Sequence, residues 1–280
     1  MSENKEALVV SVVNKICDAV GFVVQDMIWD PTGLKRARKN TADTYLKNIL
    51  DSDMSYEEKQ VLIQEFKLMF KKSDNRKKII NNSFSHIEDV SNPEKVENGW
   101  IFEFWDKSGS VSTEDLQKLW GRVLAQEINK PNTVSKKLLH NLSIMSYQDA
   151  LNFMNLCRFC FDDTFKELAY PFLYIRELEK TYKNSKITTN ILKELEQFSL
   201  IEINYENGFC FNNKIKISYG RYDAVILADK IPAGNVILTT DGQVLYQIVK
   251  ELTESNINKY QIFEYVIEHL QNQRCNVEIK

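Results

Sequence analysis

Apolar residues recur three and four positions apart along most of the first two thirds of the chain, a spacing that predicts a succession of helices. The clearest segment runs from Ser112 to Lys130. Ser112 is placed to cap it, with Asp115 as a short relative of the capping-box glutamate. Leu116, Leu119, Trp120, Val123, Leu124 and Ile128 fall on one face, and Pro131 stops the run. This pattern predicts a buried helix. Upstream, a stripe of Val9, Val10, Val12, Val13, Ile16, Cys17 and Val20 predicts a helix within Lys5–Met27, which Gly21 would bend or split, followed by a turn at Asp30–Gly33. Two more helices are expected over Leu34–Leu50 and Ser55–Phe70, the second opened by a Ser55/Glu58 capping box, before an exposed basic break at Lys71–Lys78.

An aromatic cluster, Trp100, Phe102, Phe104 and Trp105, leads into the Ser112 helix. After Pro131, Ser135 is placed to cap a short helix carrying Leu138, Leu139 and Leu142. Ser146 and Asp149 open a longer one through Cys160. Past about residue 183 the period changes. A helix over Thr188–Phe198 precedes Leu200–Tyr205 and Phe209–Phe211, which flank Glu206-Asn207-Gly208, an Asn-Gly hairpin signal. Ala224–Leu227 is a third strand candidate. Helices starting at Leu238–Gly242 and covering Tyr260–Leu270, then a terminal strand, complete the outline. The expected fold is therefore mainly α: a multi-helix domain over 1–183, followed by a small winged-helix-like α+β domain over 184–280.

Composition changes this picture little. With 280 residues, 43% hydrophobic and 27% charged, the chain has globular composition and room for a sizeable core. A net charge of −3 supplies no general attraction for nucleic acid or anionic lipid, so such binding would need a local patch. Five scattered cysteines and an N-terminus without a basic signal-like start point to a reducing cytoplasm. The first apolar stretch is interrupted by Asn14, Lys15, Asp18, Gln25 and Asp26, so no membrane span is expected. Its valine stripe should pack inside the helical domain, against a second subunit, or on lipid.

Candidate chemistry is sparse. The glycines form neither a dinucleotide nor a P-loop pattern, and no cofactor is expected. His86, His140 and His269 are far apart. Cys157 and Cys160 have a metal-type spacing that would need Cys210 and Cys275 to complete a zinc site; buried thiols on a helix are the simpler reading. Asp162, Asp163 and Glu167 form an acidic group that could serve a divalent ion in a metal-dependent enzyme; a solvated helix face is the simpler reading. Lys35, Arg36, Arg38 and Lys39, with Lys71, Lys72, Arg76, Lys77 and Lys78, are the candidates for contacting nucleic-acid phosphates. Against that, the expected helix at Thr188–Phe198 carries Glu194 and Glu196 beside Lys193. Gln117 and Glu127 lie on the Ser112 helix where a carboxamide or carboxylate can bond the backbone of the 129–134 loop.

The phrase Leu116-Gln117-x-Leu119-Trp120-x-x-x-Leu124-Ala125-x-Glu127-Ile128, followed by Pro131, resembles a family of uncharacterised bacterial proteins. Trp100-x-x-x-Phe104, Asp149-Ala150-x-x-Phe153 and Leu238-Thr239-x-x-Gly242 are similar to other conserved phrases of that family, and the resemblance spans Leu34–Leu252 in patches. Some relatives look like mobile-element or abortive-infection genes, which implies a phage-defence or prophage setting and no particular reaction. The Leu-Thr-x-x-Gly phrase also resembles the end of the wing in winged-helix domains, although Asn212–Asn235 is longer than a simple wing. The expectation is a non-enzymatic interaction, sensor or adaptor protein with a protein partner and with self-association through its helical part. Nucleic-acid binding through the basic segments is the alternative, and a metal-dependent enzyme the second alternative.

Overall fold

The computed structural model describes residues 3–20, 34–88, 93–166, 168–175, 187–253 and 258–280, with the side chains of 3–9, 34–41 and 253 set aside. The chain forms two compact units, Met1–Ser143 and Ile144–Lys280. The boundary expected at 183/184 falls in 176–186, outside the described residues, as do the Asp30–Gly33 turn and Gly21.

The first unit is helical. It contains α1 (Glu3–Val20), α2 (Leu34–Leu50), α3 (Tyr56–Ser83), a 3-10 turn at Pro93–Lys95, α4 (Asn98–Ser108), α5 (Glu114–Asn129) and α6 (Lys136–Ile144). Val12, Val13 and Ile16 of the valine stripe are buried within this unit, where α1 packs on α4 and the 3-10 turn. The capping box Ser55/Glu58 starts α3 as expected. That helix does not stop at Phe70: it continues as one rod to Ser83, straight through the basic run expected as a break. Its small and apolar stripe is the reason. Asn75, Ile79, Ile80 and Ser83 are buried, Ile79 and Ile80 completely, so the lysines ride on a helix anchored from its other side.

The central helix α5 behaves as its pattern predicts. Leu119, Trp120, Val123, Leu124 and Ile128 are buried, and Trp120 is fully enclosed with the Phe104 ring 5.6 Å away. Helix α5 packs along α3, and Gly121 permits the approach, since a Cβ there would lie 2.8 Å from the Asn82 Cβ. Its N-cap is Thr113 rather than Ser112, and the cap makes no side-chain hydrogen bond.

The second unit holds α7 (Tyr147–Cys157), β1 (Phe161–Asp163), β2 (Leu168–Tyr170), α8 (Thr189–Gln197), β3 (Ile201–Ile203), β4 (Phe209–Tyr219), β5 (Tyr222–Gly234), β6 (Val236–Leu238), α9 (Thr240–Val249), a 3-10 turn at Lys250–Thr253, α10 (Lys259–Asn272) and β7 (Asn276–Ile279). One antiparallel sheet has the order β2-β1-β4-β5-β7, and β3 pairs with β6 in a second ladder. The fold is thus mixed α+β, 59% helix and 17% strand, which corrects the mainly-α expectation. Strands β1 and β2 lie in the stretch expected to be wholly helical. Each has three residues, too few for alternation to show in sequence, and β1 is fixed by pairing with Ile217 and Ser218 some fifty residues later.

The Asn-Gly hairpin is corrected too. Gly208 adopts φ +64°, and the Asn204 side chain bridges the turn to the Asn207 N–H and the Gly208 carbonyl. The flanking strands nevertheless go to different partners, β3 to β6 and β4 to β5. The long hairpin is β4–β5, closed by Gly220 and Arg221, and it takes up the 212–235 stretch that a wing left unexplained. The Leu-Thr-x-x-Gly phrase has a local cause. Thr239 Oγ1 accepts from the Gly242 N–H at 3.0 Å and donates to the Ser199 carbonyl at 2.6 Å, while a Cβ on Gly242 would overlap the Leu200 carbonyl.

Candidate functional site

The polar members of the α5 phrase hold backbone. Glu127, 1% exposed, accepts from the N–H groups of Asn132 (Oε1, 2.7 Å), Thr133 (Oε2, 3.1 Å) and Val134 (Oε2, 2.8 Å). It thereby fixes the turn after Pro131, where Asn132 has φ +67°. Burial holds this carboxyl above the ordinary glutamate range, and the three N–H bonds pull it back only in part. The Trp100 indole N–H donates to the Val134 carbonyl at 2.8 Å, docking the same turn on α4. Gln117 faces the other end of the helix: its Nε2 donates to Asn75 Oδ1 (3.1 Å) and to the Val111 carbonyl (3.0 Å), and Asn75 donates to the Gly109 carbonyl at 2.9 Å. Ser112 is exposed.

The basic candidates separate. Lys35, Arg36, Arg38 and Lys39 fall in the first turns of α2, where their side chains are outside the described residues. Arg76 is half-buried: its Nε donates to the Trp105 carbonyl at 2.8 Å and its guanidinium lies 4.5 Å from the Trp105 ring centroid. Burial lowers its pKa, with Asp106 partly compensating. On the same helix Lys71 and Lys78 are exposed, and Lys72 and Lys77 are intermediate.

In the second unit, Cys157 ends α7 and Cys160 follows it, both as buried thiols. Burial pushes the Cys157 thiol well up. Cys275 is buried with Sγ 3.9 Å from the Lys230 carbonyl, and Cys210 is exposed on β4. Asp162 and Asp163, adjacent on a strand, point to opposite faces. Asp162 Oδ1 accepts from the Tyr246 hydroxyl at 3.1 Å, and burial pushes that phenol far up. Asp163 Oδ1 accepts from the Phe165 N–H at 2.9 Å; Tyr170 is pushed up to about 12 by burial and by the charge of Asp163. Glu167 lies outside the described residues. Among the described residues, no three His, Cys, Asp or Glu side chains are arranged to hold a metal ion, and no helix is long and apolar enough to cross a membrane.

The feature that sequence reasoning missed is the contrast between the two edges of the five-stranded sheet. At the β2 edge, the Gln243 carboxamide reproduces a strand: Oε1 accepts from the Ala169 N–H (2.9 Å) and Nε2 donates to the Ala169 carbonyl (2.8 Å). The opposite edge is β7. Lys280 N–H donates to the Asp223 carbonyl, and the alternation of an antiparallel ladder then turns the N–H and C=O groups of Val277 and Ile279 away from β5. Ile279 is 58% exposed on this strand and Leu227 of the neighbouring β5 is 40% exposed. No sequence signal marks Gln243, because its partner is seventy-four residues away.

The chain belongs to the family described as a protein of unknown function, DUF2806, whose model matches residues 62–222, more than half of the sequence. The matched stretch begins inside α3 and ends at the β4–β5 turn, so it includes the α5 phrase and Asp149–Phe153 and stops short of Leu238–Gly242. No curated protein and no solved structure matches the chain.

Proposed function

We propose that this DUF2806 member is a non-enzymatic interaction protein that takes an extended segment of a protein partner as an added strand on β7. The observation that carries the reading is the unequal treatment of the sheet edges among the described residues: Gln243 closes β2, whereas Val277 and Ile279 direct their main-chain groups away from β5. Such an edge gives affinity through main-chain hydrogen bonds and specificity through alternate side chains, here beside Ile279 on one face of the sheet. The non-enzymatic part is supported by the α5 phrase, whose Glu127 and Gln117 are engaged with backbone and with Asn75. A role as an adaptor in bacterial phage defence is supported only by the resemblance to abortive-infection genes.

The test is capture of partners by the full chain and by Val277→Pro. Proline removes an N–H that β5 does not use, so β7 is expected to stay paired while strand addition is blocked. A captured protein, purified and rebound, should lose about tenfold or more in affinity for the variant. Equal binding by the variant would overturn the strand-addition reading. Retention of nucleic acid instead of protein, or turnover of a substrate by the isolated chain, would overturn the proposal as a whole.

A further inference from the structure

Helix α3 carries a stripe that is exposed among the described residues. Positions 61, 68, 75 and 82 share one heptad row. Asn75 and Asn82 meet the α4–α5 corner and Gly121, but Val61 and Leu68, in the same row, are each 54% exposed. The row that is buried at Asn75 and half-buried at Asn82 is thus exposed over the first half of the helix. Glu57, Glu58, Gln64 and Glu65 flank it on the exposed side, as do Lys71 and the half-buried Lys72.

Charge decides what fits there. The stripe is acidic at its N-terminal end, with Glu57 and Glu58, and basic at its C-terminal end, with Lys71 and Lys72. A copy of the same helix laid antiparallel about a two-fold axis between residues 64 and 65 puts Val61 against Leu68, Glu58 against Lys71, Glu57 against Lys72 and Gln64 against Glu65. Each pairing occurs twice, as an isologous contact requires. The paired stretch is about 22 Å long at 1.5 Å per residue. A parallel copy would instead set Glu57 and Glu58 against themselves and Lys71 and Lys72 against themselves.

We propose that the occupant of this face is a second copy of the chain, bound antiparallel through α3 residues 57–72. This assembly belongs to the helical unit and stands whether or not β7 takes a partner. Sedimentation velocity of the full chain over a concentration series should show a reversible dimer. Glu57→Lys sets lysine against Lys72 twice and should weaken the dimer about tenfold, and Lys72→Glu should do the same. The double variant Glu57→Lys/Lys72→Glu exchanges the partners and should restore the dimer to within about threefold, whereas Leu68→Ser should abolish it. Glu58 is left intact because it completes the Ser55 capping box. Circular dichroism checks that each variant keeps its helix content, and Glu57 and Lys72 are independent sites should one of them disturb the fold. A monomeric wild-type chain at every concentration, or a double variant no better than either single one, overturns the proposal. Neither result bears on the Val277→Pro comparison.

Discussion

Replacing Glu127 tests whether the α5 phrase is scaffold. Glu127→Ala removes three hydrogen bonds together. The Val134 N–H is buried, and leaving it unpaired costs about 1–3 kcal/mol; the Asn132 and Thr133 N–H groups lie nearer solvent and account for about 0.5–1.5 kcal/mol each. The buried carboxylate itself opposes folding, as the upward shift of its pKa records, so the net loss should be about 3 kcal/mol. Glu127→Gln can keep the two bonds made by one oxygen and lose the Asn132 bond, for a loss of about 1–2 kcal/mol. All four tryptophans lie before residue 143, so indole fluorescence during urea unfolding follows the helical unit alone. The midpoint should fall in the order wild type, Gln, Ala at unchanged slope. Because the folded state binds the Glu127 proton more tightly than the unfolded chain does, its contribution is greatest below the ordinary value of 4.5 and declines as pH rises through the higher folded value. The gap between wild type and Glu127→Ala should therefore widen as pH is lowered toward 4.5, and the variant should lack that slope. A loss under about 1 kcal/mol for Ala, or equal losses for Ala and Gln, would refute the reasoning.

Two further checks stand beside the dimer and strand-edge tests. Thr239→Ala removes the α9 cap and its bond to Ser199 and should cost about 1–2 kcal/mol, whereas Gly242→Ala drives a methyl into the Leu200 carbonyl and should cost about 3 kcal/mol or more; thermal unfolding followed by circular dichroism ranks them. Among the thiols, exposed Cys210 should react first with an aromatic disulfide reagent at neutral pH and partly exposed Cys17 next. Buried Cys157, Cys160 and Cys275 should react only on unfolding, so three fast thiols in the native chain would contradict the described packing.

Local chemistry was readable wherever cause and effect sit within a few residues. The capping boxes at Ser55/Glu58 and Ser146/Asp149, the Thr188 and Thr239 caps, the buried face of α5 and the Glu127 clamp on its own following turn all follow from spacing along one element. The sequence by itself determined these helices because a helix satisfies its hydrogen bonds within a short window and shows its buried face at a fixed period. Tertiary structure alone decided the sheet. Three-residue β1 and β2 have no periodicity to read, β3 and β4 pass over each other for β6 and β5, and Gln243 closes an edge far away in sequence. It also decided that Arg76 serves Trp105 and that Val61 and Leu68 stay exposed on a helix row that is buried at Asn75. Strand pairing and side-chain coverage depend on which distant segment arrives, and nothing in the local pattern of a strand or a helix face names its partner.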